Sequence, residues 1–136
     1  MPLSTDTDIH QLLAQSKTIA VIGYSDKPDR PSHNITQALK RFGYDVYPVN
    51  PTLASTPEQP IYATLSQIPA RIDIVDVFRR ADALPEVVAE AIKVGAKAIW
   101  MQQDIVNEEA ARTAEAAGLK VVMDRCIKVE HRRLMK

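Results

Sequence analysis

The run Thr18-Ile19-Ala20-Val21-Ile22 stops at Gly23, and this junction restricts the possible folds more than any other stretch of the chain. An apolar run of this length, without polar alternation, suits a strand covered on both faces. A polar loop follows, from Tyr24 to Ser32, and then Ile35, Ala38, Leu39 and Phe42 recur at helical spacing. Strand, loop and helix in that order make the first half of a βαβ unit. In such units the loop meets the start of the helix, where free backbone N–H groups and the helix dipole favour a phosphate. The loop is therefore the candidate ligand cradle. Pro31 fits the first helical position and Ser32 is the candidate N-cap.

The same alternation continues downstream. Gly43 suits the end of the first helix, and residues 44–49 predict a second strand stopped by Asn50-Pro51. Residues 52–60 read as a surface loop, Ile61-Tyr62 as a very short edge strand and residues 65–69 as one helical turn. Residues 72–78 predict a strand carrying Asp73 and Asp76 on opposite sides, one of them fitting a buried, hydrogen-bonded structural acid. A helix from Leu84 to the stop at Gly95 places Leu84, Val87, Val88 and Ala91 on one face. A strand over residues 96–101 follows, then a helix capped by Asn107 with Glu108 and Glu109 in its first turn, and a last strand over residues 119–123. Residues 128–136 read as a short basic helix or extension. At the other end, residues 1–15 predict a short helix with Ile9, Leu12 and Leu13 as its apolar stripe, Thr7 or Asp8 as its cap and the sheet edge as its packing site. Strands alternating with helices imply an α/β fold, a single doubly wound, mainly parallel sheet with helices on both faces.

Composition narrows the function. The 136 residues suffice for one domain with a sizeable core and not for two. Seventeen basic residues balance seventeen acidic ones, so nothing global points to nucleic acid or an anionic membrane, and an anion site must be a local cluster. No apolar run approaches bilayer length and no signal-peptide pattern opens the chain, which makes a cytoplasmic protein the expectation. The single cysteine, Cys126, excludes an internal disulfide and a Cys-rich metal site. His10, His33 and His131 show no ligand spacing.

In doubly wound sheets, ligands lie beyond the carboxyl ends of the strands. The fingerprint for a dinucleotide needs three glycines in the first turn and an acid after the second strand; here only Gly23 is present and the second strand ends in Asn50-Pro51. The loop instead offers Ser25, Lys27, Arg30 and Ser32 around a helix start, with Arg79 available from the strand end at Phe78. These suit a pyrophosphate, although Lys27 and Arg30 read equally well as solvated loop charges. For Cys126, Arg125 offers the cationic neighbour that a reactive thiol needs, but a small residue beside the ligand is the simpler reading. Adjacent residues on a helix do not face each other, so Glu130-His131 is assigned to the surface. Trp100 and Met101 read as core. No catalytic constellation is present.

Taken together these blocks resemble the CoA-binding domain proteins, the small stand-alone group related to the N-terminal domain of the succinyl-CoA synthetase alpha subunit. The matching residues are Ile19 to Ser25 with Arg30-Pro31-Ser32, Gly43-Tyr44, Tyr47-Pro48-Val49-Asn50-Pro51, Ile68-Pro69, and Asp73 to Arg79. They continue through Gly95 to Gln102, Asn107 to Ala110, Gly118, Val121 to Cys126, and Glu130-His131. The resemblance implies a Rossmann-like domain over residues 17–136, with residues 1–16 as a helix packed on it, and coenzyme A as the ligand. It implies that Gly23, Tyr24 and Ser25 lie against the nucleotide end of the cofactor, that Asn50-Pro51 and Gln102-Gln103 border it, and that Cys126 matches a cysteine at the last strand end. Lys27, Arg30, Ser32, Phe78 and Arg79 complete the candidate binding set. The group commonly has glycine where this chain has Asp104. The synthetases carry a phosphorylated histidine in a further domain that has no counterpart here, so ligase activity is not implied. The expected function is non-catalytic binding of CoA or an acyl-CoA, with no nucleic acid or membrane partner. The alternatives are an NAD(P)-dependent oxidoreductase and a regulatory interaction domain with a vestigial nucleotide pocket.

Overall fold

A computed structural model describes residues 2–135. The sheet is formed by β1 (Thr18–Ile22), β2 (Asp45–Val49), β3 (Ile74–Val77), β4 (Ala98–Met101) and β5 (Lys120–Val122). The helices are α1 (Asp6–Gln15), α2 (Pro31–Arg41), α3 (Leu84–Lys93), α4 (Glu108–Ala116) and α5 (Ile127–Leu134). The strand order is β2-β1-β3-β4-β5 and every pairing is parallel. The Rossmann-like sheet expected from the alternation is therefore present. Its order reverses between β1 and β3, and there the loops that leave the two strands part to opposite faces.

Although the middle strands are buried throughout, side chains still sort by the two-residue period of a strand. Ala20, Ile22, Val75, Val77, Ile99, Met101 and Val121 form one layer with Leu84, Val87, Val88 and Ala91 of α3 and the small Ala110, Ala111 and Ala114 of α4. Ile19, Val21, Ile74, Ala98, Trp100 and Val122 form the other with Ile35 and Leu39 of α2 and Ile127 of α5. Ile9, Leu12 and Leu13 of α1 belong to this second layer, so α1 covers a sheet face rather than the edge expected. Each such side chain, fully buried, contributes about 1.5–3 kcal/mol. The cap of α1 is Thr5, whose Oγ1 accepts the Asp8 N–H at 3.2 Å, not Thr7 or Asp8. The edge of β5 is met by the N-terminal arm, where the Leu3 N–H donates to the Val121 carbonyl at 2.7 Å. Ile61-Tyr62 supplies only a single parallel bridge, Tyr62 to Val49.

The two strand acids separate as their alternation demands. The Asp73 carboxylate accepts the Lys17 and Thr18 N–H groups at 2.7 and 3.2 Å and lies 3.5 Å from Lys97 Nζ. Partial burial pushes its pKa up, but those donors and Lys97 outweigh it and hold the group below the usual carboxylate range. Asp76, flanked by Val21 and Trp100, points into the second layer, and neither of its carboxyl oxygens has a hydrogen-bond partner. Burial alone pushes it well above the usual range. Asp73 is thus the hydrogen-bonded structural acid, and Asp76 is a second buried acid that the alternation did not foretell.

Candidate ligand site at the strand ends

The site begins with Gly23. Its φ is +82°, and a Cβ there would sit 2.8 Å from the Phe78 carbonyl oxygen and 3.2 Å from Arg79 Cγ. The ends of β1 and β3 are in contact through this missing side chain, which puts the Ser25 loop and Arg79 on one rim of the molecule. The Gly23 and Tyr24 N–H groups both donate to the Val49 carbonyl, at 3.1 and 3.3 Å, tying the loop to the end of β2.

Much of the loop's polarity builds the loop itself. Tyr24 turns inward, 1% exposed, and its hydroxyl meets His33 Nδ1 at 3.2 Å. Asn50 Nδ2 donates to the Tyr24 carbonyl at 2.7 Å, while Asn50 Oδ1 accepts from the Thr52 N–H and hydroxyl. Ser32 Oγ accepts the Ser25 N–H at 3.0 Å, and Ser25 Oγ accepts the Lys27 N–H at 3.2 Å. Ser32 is therefore not the N-cap. Arg30 occupies that position without a side-chain capping bond, and Pro31 takes the first helical turn as expected. The Ser32 and His33 N–H groups at the start of α2 are left without an intrahelical acceptor. Lys27 and Arg30 stand exposed beside them.

Three hollows meet along this rim. The first, about 590 Å³, lies between Gly23, Asn50, Pro51, Thr64, Phe78 and Arg79. The second, about 410 Å³, is bounded by Gly23, Ser25, Lys27, Arg30, Ser32 and Asn50. The third, about 480 Å³, is bounded by Pro31, Ile35, Arg79, Gln103, Asp104 and Cys126. Phe78 borders all three, so they adjoin along one groove, and each is in the size range of small-molecule sites. All thirteen sequence-predicted residues lie on it or in its walls. Gln102 is a wall residue that is almost fully buried; its Oε1 accepts the Ile127 N–H at 3.1 Å and so caps α5. Cys126 is half-buried at the N-cap position of that helix. Pro31, Arg80 and Thr64 also border the groove and are missing from the sequence-predicted set. Arg80 is the residue after Arg79 and is open to the same reasoning; Thr64 arrives on a long crossover with no local pattern to mark it.

The segment around Cys126 is held from several sides. Trp100 Nε1 donates to the Arg125 carbonyl at 2.8 Å, and the Arg125 N–H donates to the Met101 carbonyl at 3.3 Å. The Arg125 guanidinium pairs with Glu130, which also takes Arg133 at 2.8 Å, and Arg133 makes two bonds to Asp6. Glu130 is 5% exposed, so its assignment to the surface is corrected. Burial pushes Glu130 up, but Arg133 and Arg125 outweigh it and hold it below the usual range. His131 is half-buried: its ring stacks on Phe42 at 4.0 Å and meets Tyr44 edge-on, and burial lowers its pKa.

Residues 17–132 match the family described as CoA binding domain. This chain belongs to that family. Among relatives of the CoA-binding domain, uncharacterized protein YneT of Bacillus subtilis is 44% identical over 124 residues, covering 91% of this chain and 92% of its own. ADP-forming acetate–CoA ligase II of Archaeoglobus fulgidus is 34% identical over 101 residues, 73% of this chain but 15% of the ligase. A hypothetical protein from Pyrococcus horikoshii superposes with a TM-score of 0.93 at 40% identity, covering 100% of this chain and 97% of that one. The dinucleotide-forming acetyl-coenzyme A synthetase 1 of Ca. Korarchaeum cryptofilum gives a TM-score of 0.67 at 26% identity, over 77% of this chain and 25% of that one. Membership in the family supports CoA as the ligand class. Among the described residues no helix is long and apolar enough to cross a membrane, and no group of His, Cys, Asp and Glu is placed to hold a metal ion.

Proposed function

We propose that this protein binds coenzyme A or an acyl-CoA along the groove at the strand ends and does not transform it. The observation that carries this reading is the continuity of the groove: basic groups at one end, Phe78 and Ile35 as apolar wall, and Cys126 at the other. Lys27 and Arg30 flank the uncapped start of α2 and would take phosphates together with its N–H groups. Arg79 supplies a third cation, and Gly23, Tyr24 and Ser25 carry the backbone against which the nucleotide rests. Pro51 and Asn50 close the β2 side, Gln102 and Gln103 the β4 side, and the thiol end of the ligand approaches Cys126. The ligase relatives are several times longer than the stretch they share with this chain, and their activity is not carried over. The lone thiol suits a reducing, cytoplasmic setting.

Calorimetric titration with CoA, acetyl-CoA, NAD and ATP tests the reading. Selective binding of the CoA compounds, weakened about tenfold or more by Arg30→Ala through loss of a charge-assisted contact, supports it. Preference for NAD would favour the oxidoreductase alternative, and silence with every ligand would favour an interaction domain; either result overturns the proposal.

A further inference from the structure

The hollows along the rim differ in the chemistry of their walls. The second is lined chiefly by polar and charged groups of the loop between β1 and α2. The third lies between the start of α2, the end of β3, the turn at residues 102–105 and the start of α5, and its inner wall is hydrocarbon and sulfur. Ile35 is 6% exposed there, and Phe78, Ile105 and Cys126 are half-buried. The charged and polar groups Arg79, Arg80, Gln103 and Asp104 are all exposed and so stand at its mouth. Gln102 is the one buried polar residue of the lining, and its Oε1 is taken by the Ile127 N–H. The Ile105 N–H is spent on the Gln102 carbonyl at 2.9 Å. The inner wall therefore offers a ligand apolar surface and little else. It is also held in shape. The Gln102 bond ties the turn to α5, and Lys128 Nζ donates to Asn34 Oδ1 at 2.9 Å, which fastens α5 to α2. Of the three hollows, Ile105 borders this one alone.

We propose that this hollow receives the acyl chain of the ligand, and that the cargo is a CoA thioester of a short or medium alkyl acid rather than free CoA. This rests on the CoA-binding reading above, which brings the thiol end of the ligand to Cys126. A thiol that stops there leaves the Ile35 and Ile105 walls facing water. A thioester carries its chain onto them, and each methylene removed from water adds about three- to fourfold in affinity. At about 480 Å³ the hollow is by itself the size of a small-molecule site, well beyond the needs of a sulfhydryl. Its inner wall has no free polar group to orient a substituent, so the gain follows chain length and stops where the hollow is filled.

The test is a calorimetric series, CoA, acetyl-CoA, butyryl-CoA and hexanoyl-CoA, titrated against wild type, Ile105→Ala and Ile105→Phe. Wild type is expected to gain about three- to fourfold per methylene from acetyl-CoA to butyryl-CoA, and to go on gaining until the chain meets the end of the hollow. The ratio of hexanoyl-CoA to free CoA affinity, taken within each protein, removes any general effect of a substitution on folding. That ratio is expected to fall about threefold or more in both variants, in Ile105→Ala through lost apolar wall and in Ile105→Phe through lost space. Affinities that stay level along the wild-type series, or a ratio unchanged in both variants, overturn the inference while leaving the CoA site standing. Failure of CoA and every thioester to bind wild type overturns the underlying reading and this inference with it.

Discussion

Replacing Gly23 by alanine separates the two reasons a glycine stands there. The left-handed backbone costs an alanine about 1–2 kcal/mol, and this applies to any of the glycine stops. At Gly23 the added Cβ would also sit 2.8 Å from the Phe78 carbonyl oxygen and 3.1 Å from its carbon, atoms of the backbone that cannot swing aside as a side-chain tip would. Forcing β1 and β3 apart at their ends adds a cost in the range of core overpacking, about 1–3 kcal/mol. The expected total for Gly23→Ala is about 2–5 kcal/mol, a large part of the stability of a domain this size. Gly118 is the control. Its φ is +92° and nothing lies within 4 Å of the place a Cβ would take, so Gly118→Ala should lose only the backbone share. Urea unfolding of both variants gives the difference directly, with unchanged slopes indicating that compactness is unaltered. CoA titration should show weaker binding for Gly23→Ala alone, because Phe78 and Arg79 are the groups displaced. Equal losses in the two variants would refute the claim that the rim is built on close contact between β1 and β3.

Two further predictions concern buried acids with opposite pH signatures. Asp76 has its folded-state pKa raised by burial, so the folded chain keeps a proton that the unfolded chain releases above about pH 4; the stability it contributes is full below that pH and falls as pH rises toward the folded-state pKa. Asp76→Asn should flatten that fall and gain on wild type with increasing pH, and parallel stability curves from pH 5 to 9 would count against an unpartnered acid. Glu130 is the reverse: burial raises it, Arg133 and Arg125 together lower it further, so its contribution is present above its unfolded pKa and lost as pH falls. Glu130→Gln should cost about 1–3 kcal/mol at neutral pH and remove the acid-side loss in thermal unfolding; an intact acid limb in the variant would show that the arginine network is idle.

The strands, their order of alternation with helices and the glycine stops were legible because each is a local signal: an apolar run, a 3.6-residue recurrence, a residue tolerant of positive φ. Asn107 was readable for the same reason, and its Oδ1 does accept the Ala110 N–H at 3.0 Å. Most of the failures turn on a partner that the local pattern does not reveal. Glu130 looks like a solvated helix residue until α1 brings Asp6 to Arg133 from 127 positions away. Ile9, Leu12 and Leu13 mark a buried stripe but not which surface receives it. Ser32 has the chemistry of an N-cap, yet the chain folds back so that its hydroxyl serves Ser25 instead. Asp76 gives no local sign that its carboxyl lacks a partner, because that depends on what α2 and α5 set against it.

That division also explains how one loop can be both rigid and receptive. Gly23, Tyr24, Ser25 and Lys27 give their N–H groups to Val49, Ser32 and Ser25, so the backbone is pinned to β2 and α2 before any ligand arrives. A fully committed loop of that kind would have little left to offer an anion. What remains is what the internal bonds do not reach: the first N–H groups of α2, the side chains of Lys27 and Arg30 and, across the β1–β3 contact, Arg79. The internal bonds set the backbone that carries these groups, so the ordering entropy still to be lost on binding lies in the exposed side chains of Lys27, Arg30 and Arg79. The polar residues of the rim therefore divide into those bonded within the protein and those left open to solvent, and residue type alone does not distinguish them: Ser32 and Asn50 have the chemistry of phosphate ligands and are used as struts, while Lys27 and Arg30, which read equally well as solvent-facing, are the ones the proposed site would use.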